Sequence, residues 1–88
     1  MSEIGLQDET GKEIRVGDVI EFDVWDSDDN IFWKFKYKIA TQDQWVYLGG
    51  GIDFGTAVGN IKTREQVLAD VHDLKAIRLI DPYHMFFY

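Results

Sequence analysis

The chain has no cysteine, which removes disulfide staples, thiolate metal sites and thiol nucleophiles together. Its only serines are Ser2, near the start, and Ser27, inside an acidic stretch, so a serine nucleophile with an activating base is not expected. The two histidines, His72 and His84, fall short of the three or four ligands that metal sites take and show no ligand-like spacing. Both read as surface or packing residues. No apolar run approaches the roughly 20 residues of a membrane-spanning helix, and Met1-Ser2-Glu3 is acidic where a secretory leader needs a basic flank. The expectation is a soluble, cytoplasmic protein with no cofactor and no membrane partner.

Positive charge is scarce in the first third of the chain. Residues 1–30 hold ten carboxylates against Lys12 and Arg15, whereas residues 31–88 are nearly balanced and the whole chain carries −7. Phosphate backbones should be repelled by such a surface, so no direct nucleic-acid partner is expected. What the chain does have is apolar material: 45% hydrophobic and 15% aromatic residues among 88. That suffices for one small core and argues against disorder.

The stretch from Ile4 to Phe22 organises the rest. Ile4 and Leu6 alternate with polar neighbours, as do Ile14 and Val16, and Asp8-Glu9-Thr10-Gly11 between them has turn chemistry, which predicts a short hairpin. Gly17-Asp18 then bends the chain into a longer strand from Asp18 to Trp25. Residues Gly5-Leu6, Asp8, Gly11-Lys12-Glu13-Ile14 and Gly17-Asp18-Val19-Ile20 follow the pattern G-L-x-D-x-x-G-K-E-I-x-x-G-D-x-[IV]. In this the opening resembles the YopX family of small phage and prophage proteins. The resemblance implies a β-rich, barrel-like fold encoded by a phage or an integrated element, in a family whose biochemical role is not established.

Ile31 to Ala40 has the clearest periodicity. Ile31, Trp33, Phe35, Tyr37 and Ile39 form one face; Phe32, Lys34, Lys36 and Lys38 form the other. In an antiparallel pair with the preceding strand, core must oppose core. One register sets Val24 opposite Trp33, Phe22 opposite Phe35 and Ile20 opposite Tyr37 inside, with Asp23–Lys34, Glu21–Lys36 and Trp25–Phe32 outside. Another keeps the faces but opposes Asp23 to Phe32, so the first is preferred, with the lysines neutralising part of the acidic strand.

Trp45-Val46-Tyr47-Leu48 reads as a third strand ended or bulged by Gly49-Gly50-Gly51. Residues 52–60 read as an ordered loop, or a loop with one short strand. Thr63-x-x-Gln66 is a capping box that opens a helix over Arg64–Asp73, with Val67, Leu68, Val71 and Leu74 on one stripe. Lys75 to Ile80 returns to a strand pattern, which Asp81-Pro82 stops. The fold class predicted is α+β and β-rich: a small, strongly bent antiparallel sheet or SH3-like barrel of about five strands, with one helix near 64–73 over one opening. Residues 1–82 form the single domain, and 83–88 an apolar C-terminal tail that wants a partner surface.

Each chemical motif meets a plainer alternative. Asp26-x-Asp28-x-Asn30 opens like a calcium loop, but Ile31 stands where glycine is needed and Tyr37 where a bidentate Glu belongs, so a solvated hairpin turn is preferred. The glycines from Gly49 to Gly59 lack a third phosphate-loop glycine at Phe54 and any Gly-Lys-Ser/Thr, and Asp53 would repel a phosphate. Trp25 and Phe32 beside Lys34, Lys36 and Lys38 suggest a single-strand stacking platform, set against the acidic strand next door. The expected function is non-enzymatic: a phage-type module binding an unidentified protein through an acidic edge of Glu21, Asp23, Asp26, Asp28 and Asp29, with Trp25 and Phe32 on its outward face, or through Phe86, Phe87 and Tyr88. The apolar tail also offers a route to a homo-oligomer. The alternatives are an acidic DNA mimic that occupies a host DNA-binding protein, and a metal-assisted hydrolase built on the Asp26–Asp29 acids.

Overall fold

Strict alternation over seventeen residues of two strands dictates the central hairpin, and the computed structural model, which describes residues 4–50 and 58–80, shows it in place. Strand β1 (Val19–Asp26) pairs antiparallel with β2 (Ile31–Ile39), and the partners are those of the preferred register: Val24–Trp33, Phe22–Phe35 and Ile20–Tyr37, with Asp23–Lys34, Glu21–Lys36 and Trp25–Phe32 between them. Ile20 and Ile39 are completely buried, and Phe22 stacks on Tyr37 with ring centroids 5.7 Å apart. Burying an aliphatic or aromatic side chain of this size stabilises the fold by about 1.5–3 kcal/mol.

Strand β3 (Gln44–Gly49) adds to β2, and β4 (Ile61–Thr63) adds to β3. On the other side β5 (Arg78–Ile80) pairs with β1 through Val19–Ile80, Ile20–Leu79 and Glu21–Arg78. The result is a five-stranded antiparallel sheet in the order β4-β3-β2-β1-β5. Among the described residues β4 and β5 are its two ends, so the named strands do not close into a barrel. A register shift between Lys36 and Tyr37 marks the bulge where β3 leaves β2, at the glycines where the sequence predicts it. Gly50 has positive φ (109°), and a Cβ there would overlap the Lys34 carbonyl oxygen, so this close approach needs glycine.

One helix, α1 (Arg64–Asp70), packs against the β3–β4 end. Its capping box forms in full: the Gln66 amide donates to Thr63 Oγ1 at 3.2 Å and the Thr63 amide to Gln66 Oε1 at 3.0 Å. Val67 is completely buried, with Leu68 and Val71 packed at the margin of the core. The helix stops three residues short of the predicted Asp73. Val71 turns extended, and the His72 amide donates to the Asp23 carbonyl on β1 at 3.0 Å. The free edge of β1 thus competes with helix propagation and wins. Asp73 then caps a 3₁₀ turn over Leu74–Ala76, which shortens the predicted strand to Arg78–Ile80 and leaves Leu74, assigned above to the buried stripe, 51% exposed.

The predicted N-terminal hairpin contracts to a single bridge between Gln7 and Glu13. Asp8 draws the chain into a tight turn instead, its Oδ1 accepting from the Thr10 amide, the Thr10 hydroxyl and the Lys12 amide. Ile4 and Ile14 enter the core, but Val16 does not, because the next turn begins at Arg15 and carries Val16 at its tip. Strand β4 lies just beyond the predicted 52–60 loop; with Ile61 58% exposed, it has no burial pattern for the sequence to reveal. The tail 83–88 with His84, Phe86, Phe87 and Tyr88, and the loop residues Asp53 and Phe54, lie outside the described residues. Among those described, no helix is long and apolar enough to cross a membrane.

Candidate functional site

The five strands do not cover each other along their full length. β5 lies opposite only Val19–Glu21, and β3 opposite only Lys36–Ile39. The far end of the β1–β2 hairpin therefore extends past both strands that flank it. Period-2 alternation continues there, but the core does not: Trp25, Ile31 and Phe32 are 46%, 40% and 48% exposed. Val19, on the same strand face as Trp25, is buried and takes no part.

Trp25 and Phe32, directly opposite in register, meet at 4.8 Å with their planes 57° apart. The His72 ring abuts Phe32 at 4.8 Å and 67°, an edge-on contact made possible by the early end of α1. His72 is thus a packing residue that fixes Phe32 from one side. The three rings form a tilted cluster beside the acidic turn.

That turn is held by Asp26. Its Oδ1 accepts from the amides of Asp28 (3.0 Å) and Asp29 (3.3 Å), and its Oδ2 accepts from the Trp33 indole at 3.0 Å. Asn30 closes the turn with φ of 53°, a left-handed conformation that asparagine tolerates. The Trp33 hydrogen bond, helped by the turn amides, lowers the Asp26 pKa. With both oxygens engaged, Asp26 is a poor opening ligand for a cation. Among the described residues no group of three His, Asp or Glu side chains could hold a metal ion.

Glu21 and Asp23 are engaged too. Arg78 reaches across from β5 and grips both, Nε to Glu21 Oε1 and Nη2 to Asp23 Oδ1, each at 3.0 Å. Lys36 adds a longer pair to Glu21 at 3.8 Å. Partial burial opposes the charge on Arg78, but the hydrogen bonds to Asp23 and Glu21 outweigh it and raise its pKa. The predicted neutralisation by β2 lysines is therefore only part of the arrangement. Asp23 lies opposite Lys34 but makes its short pair with Arg78. Sequence reasoning missed Arg78 because nothing local says that β5 lies beside β1; its strand position was the only available signal.

Of the five predicted acids, then, Glu21, Asp23 and Asp26 are bound into the fold, and Asp28 and Asp29 stand exposed at the tip beside Trp25 and Phe32. A separate open groove of about 600 Å³ lies between the N-terminal turn and the 3₁₀ turn, lined by Leu6, Gln7, Glu9, Glu13, Leu74 and Lys75 among others. Asp8 at its wall is satisfied by its own turn, and the Thr10 hydroxyl in particular lowers its pKa. Among the described residues no buried side-chain nitrogen or oxygen lacks a partner. No family model, no curated protein and no solved structure matches the chain.

Proposed function

We propose that the chain is a non-enzymatic protein-interaction module, of the kind phages and prophages carry, which engages a protein partner through the tip of the β1–β2 hairpin. The observation that carries this reading is the Trp25–Phe32 pair, about half exposed on an arm that outruns its flanking strands. Aromatic side chains held rigidly at a surface are the residues that anchor interfaces, because they offer large contact area at small entropic cost. The N-terminal resemblance to YopX proteins supports the phage association. The five-stranded sheet, with its helix at the β3–β4 end, is read as a bent, half-open relative of SH3-like barrels. A phosphate-mimicking surface is the weaker reading, since Arg78 and Lys36 neutralise Glu21 and Asp23 and the turn itself occupies Asp26.

The test is affinity capture from a host lysate with three tagged chains: wild type, a Trp25→Ser/Phe32→Ser double variant, and Ile61→Ser at the opposite sheet edge. Proteins retained by wild type and Ile61→Ser but lost by the double variant are expected. Identical retention by all three, or no enrichment by any, overturns the reading.

A further inference from the structure

The Trp25–Phe32 surface lies among carboxylates, and that combination selects among partners. Asp28 and Asp29 are exposed in the turn that joins the two ring-bearing strands. Arg78 is held by Glu21 and Asp23 nearer the base of the hairpin. Lys34 lies two residues from Phe32 on the same strand face and is the cation that opposes this acidity from β2.

We propose that the hairpin tip receives an arginine-rich segment of the partner protein, a guanidinium stacking on the exposed ring surface of the Trp25–Phe32 pair while Asp28 and Asp29 hold the neighbouring cations. This rests on the reading of the tip as the interaction surface and names its partner's chemistry. A tilted ring pair at 4.8 Å presents π-faces that attract a planar cation. Carboxylates beside the rings add electrostatic attraction and a hydrogen-bonding counter-charge, which guanidinium meets with a fixed fork of donors that ammonium lacks. A wholly apolar segment would desolvate Asp28 and Asp29 without compensation. A nucleic-acid strand could stack on the rings, but its phosphates would meet the same carboxylates and a chain of net charge −7.

The probe is a synthetic peptide of Gly-Arg repeats, titrated at low ionic strength by calorimetry while the tryptophan indole N–H signals are followed by NMR. Gly-Lys and Gly-Glu repeats and a single-stranded oligonucleotide serve as competitors in class. Gly-Arg is expected to bind best, to shift the Trp25 indole signal, and to weaken as salt rises. Trp25→Ala should reduce affinity about fivefold or more, and Asp28→Asn with Asp29→Asn by a similar factor. Asp43→Asn, at the other end of β2, should leave it unchanged. Lys34→Gln, which deletes the opposing cation, should tighten binding; this gain cannot come from misfolding.

Equal weakening by Asp43→Asn and by the tip variants would show diffuse charge attraction and overturn the proposal. So would tighter binding of Gly-Lys, Gly-Glu or the oligonucleotide. If Gly-Arg leaves the tip signals unmoved while lysate capture still depends on Trp25 and Phe32, this inference falls and the interaction-module reading stands. If neither experiment depends on the tip, both fall.

Discussion

The two ends of the β1–β2 hairpin obey the same alternation and meet different fates. At the base, Ile20 and Phe22 face Tyr37 and Phe35 on the core side of the sheet, and all four side chains are buried. At the tip, Trp25 and Phe32 face each other in the same ladder on the outer side, where among the described residues no flanking strand lies opposite them, and both stand about half exposed. Aromatic content is therefore no guide to which end is core. The face of the sheet decides it: Ile20, Phe22, Phe35 and Tyr37 alternate onto the core face, and Trp25 and Phe32 onto the outer one, so the base contributes to stability and the tip is free to contribute to recognition.

The comparison breaks first, if it breaks at all, at Phe22. Replacing it with Ala removes a fully buried ring from the stack on Tyr37 and should cost about 3–5 kcal/mol, a large share of the roughly 5–10 kcal/mol a domain of this size commands. The urea midpoint should collapse accordingly. A loss as small as that at the tip would mean the base is not the core.

A smaller effect is expected where base and tip join. Arg78→Ala leaves Glu21, whose side chain is 13% exposed, without its closest partner, and frees Asp23. Discounted for residual solvent screening, the loss should be roughly 1–2 kcal/mol, read as a shifted urea midpoint with an unchanged slope. Glu21→Gln in the same background should add little, because the two changes remove one interaction.

Acid sharpens the picture at the turn. Asp26 titrates below the ordinary carboxylate value of 3.8, chiefly because the Trp33 indole donates to it. A depressed acid contributes stability that is fully present above its unfolded pKa and lost as the pH falls through its folded one. Asp26→Asn should thus melt below the wild type near pH 6, and the gap should narrow below about pH 4. A gap constant across that range would show that ionised Asp26 does not hold the turn. The smallest effect belongs to Phe32→Ala, under about 1 kcal/mol because half of its surface is already in water, even though binding should suffer markedly.

Much of the hairpin was legible. Its register follows from two local requirements, core opposite core and Asp23 and Glu21 opposite lysines, which only one offset satisfies together with Trp25 opposite Phe32. The capping box was equally plain, since Thr63 and Gln66 lie three residues apart and complete each other's hydrogen bonds without outside help. The candidate surface was half legible. Trp25, Phe32, Asp28 and Asp29 stand exposed, whereas Glu21, Asp23 and Asp26, which the sequence groups with them, are engaged by the fold. The Asp26 case could have been suspected from Asp-x-Asp-Asp turn chemistry; its bond to Trp33 could not.

Sequence alone determined the strands' faces, the register of β1 with β2, the turn at Asp8 and the start of α1, because period-2 burial and hydrogen bonds between near neighbours are settled within about ten residues of chain. Tertiary structure decided which strands lie side by side, where α1 stops, that Arg78 joins Glu21 to Asp23, and how far along the hairpin the core extends. The stop of α1 and the reach of Arg78 depend on segments about fifty residues apart meeting at one edge, where a free backbone group or an unpaired charge takes the best partner that folding brings to it.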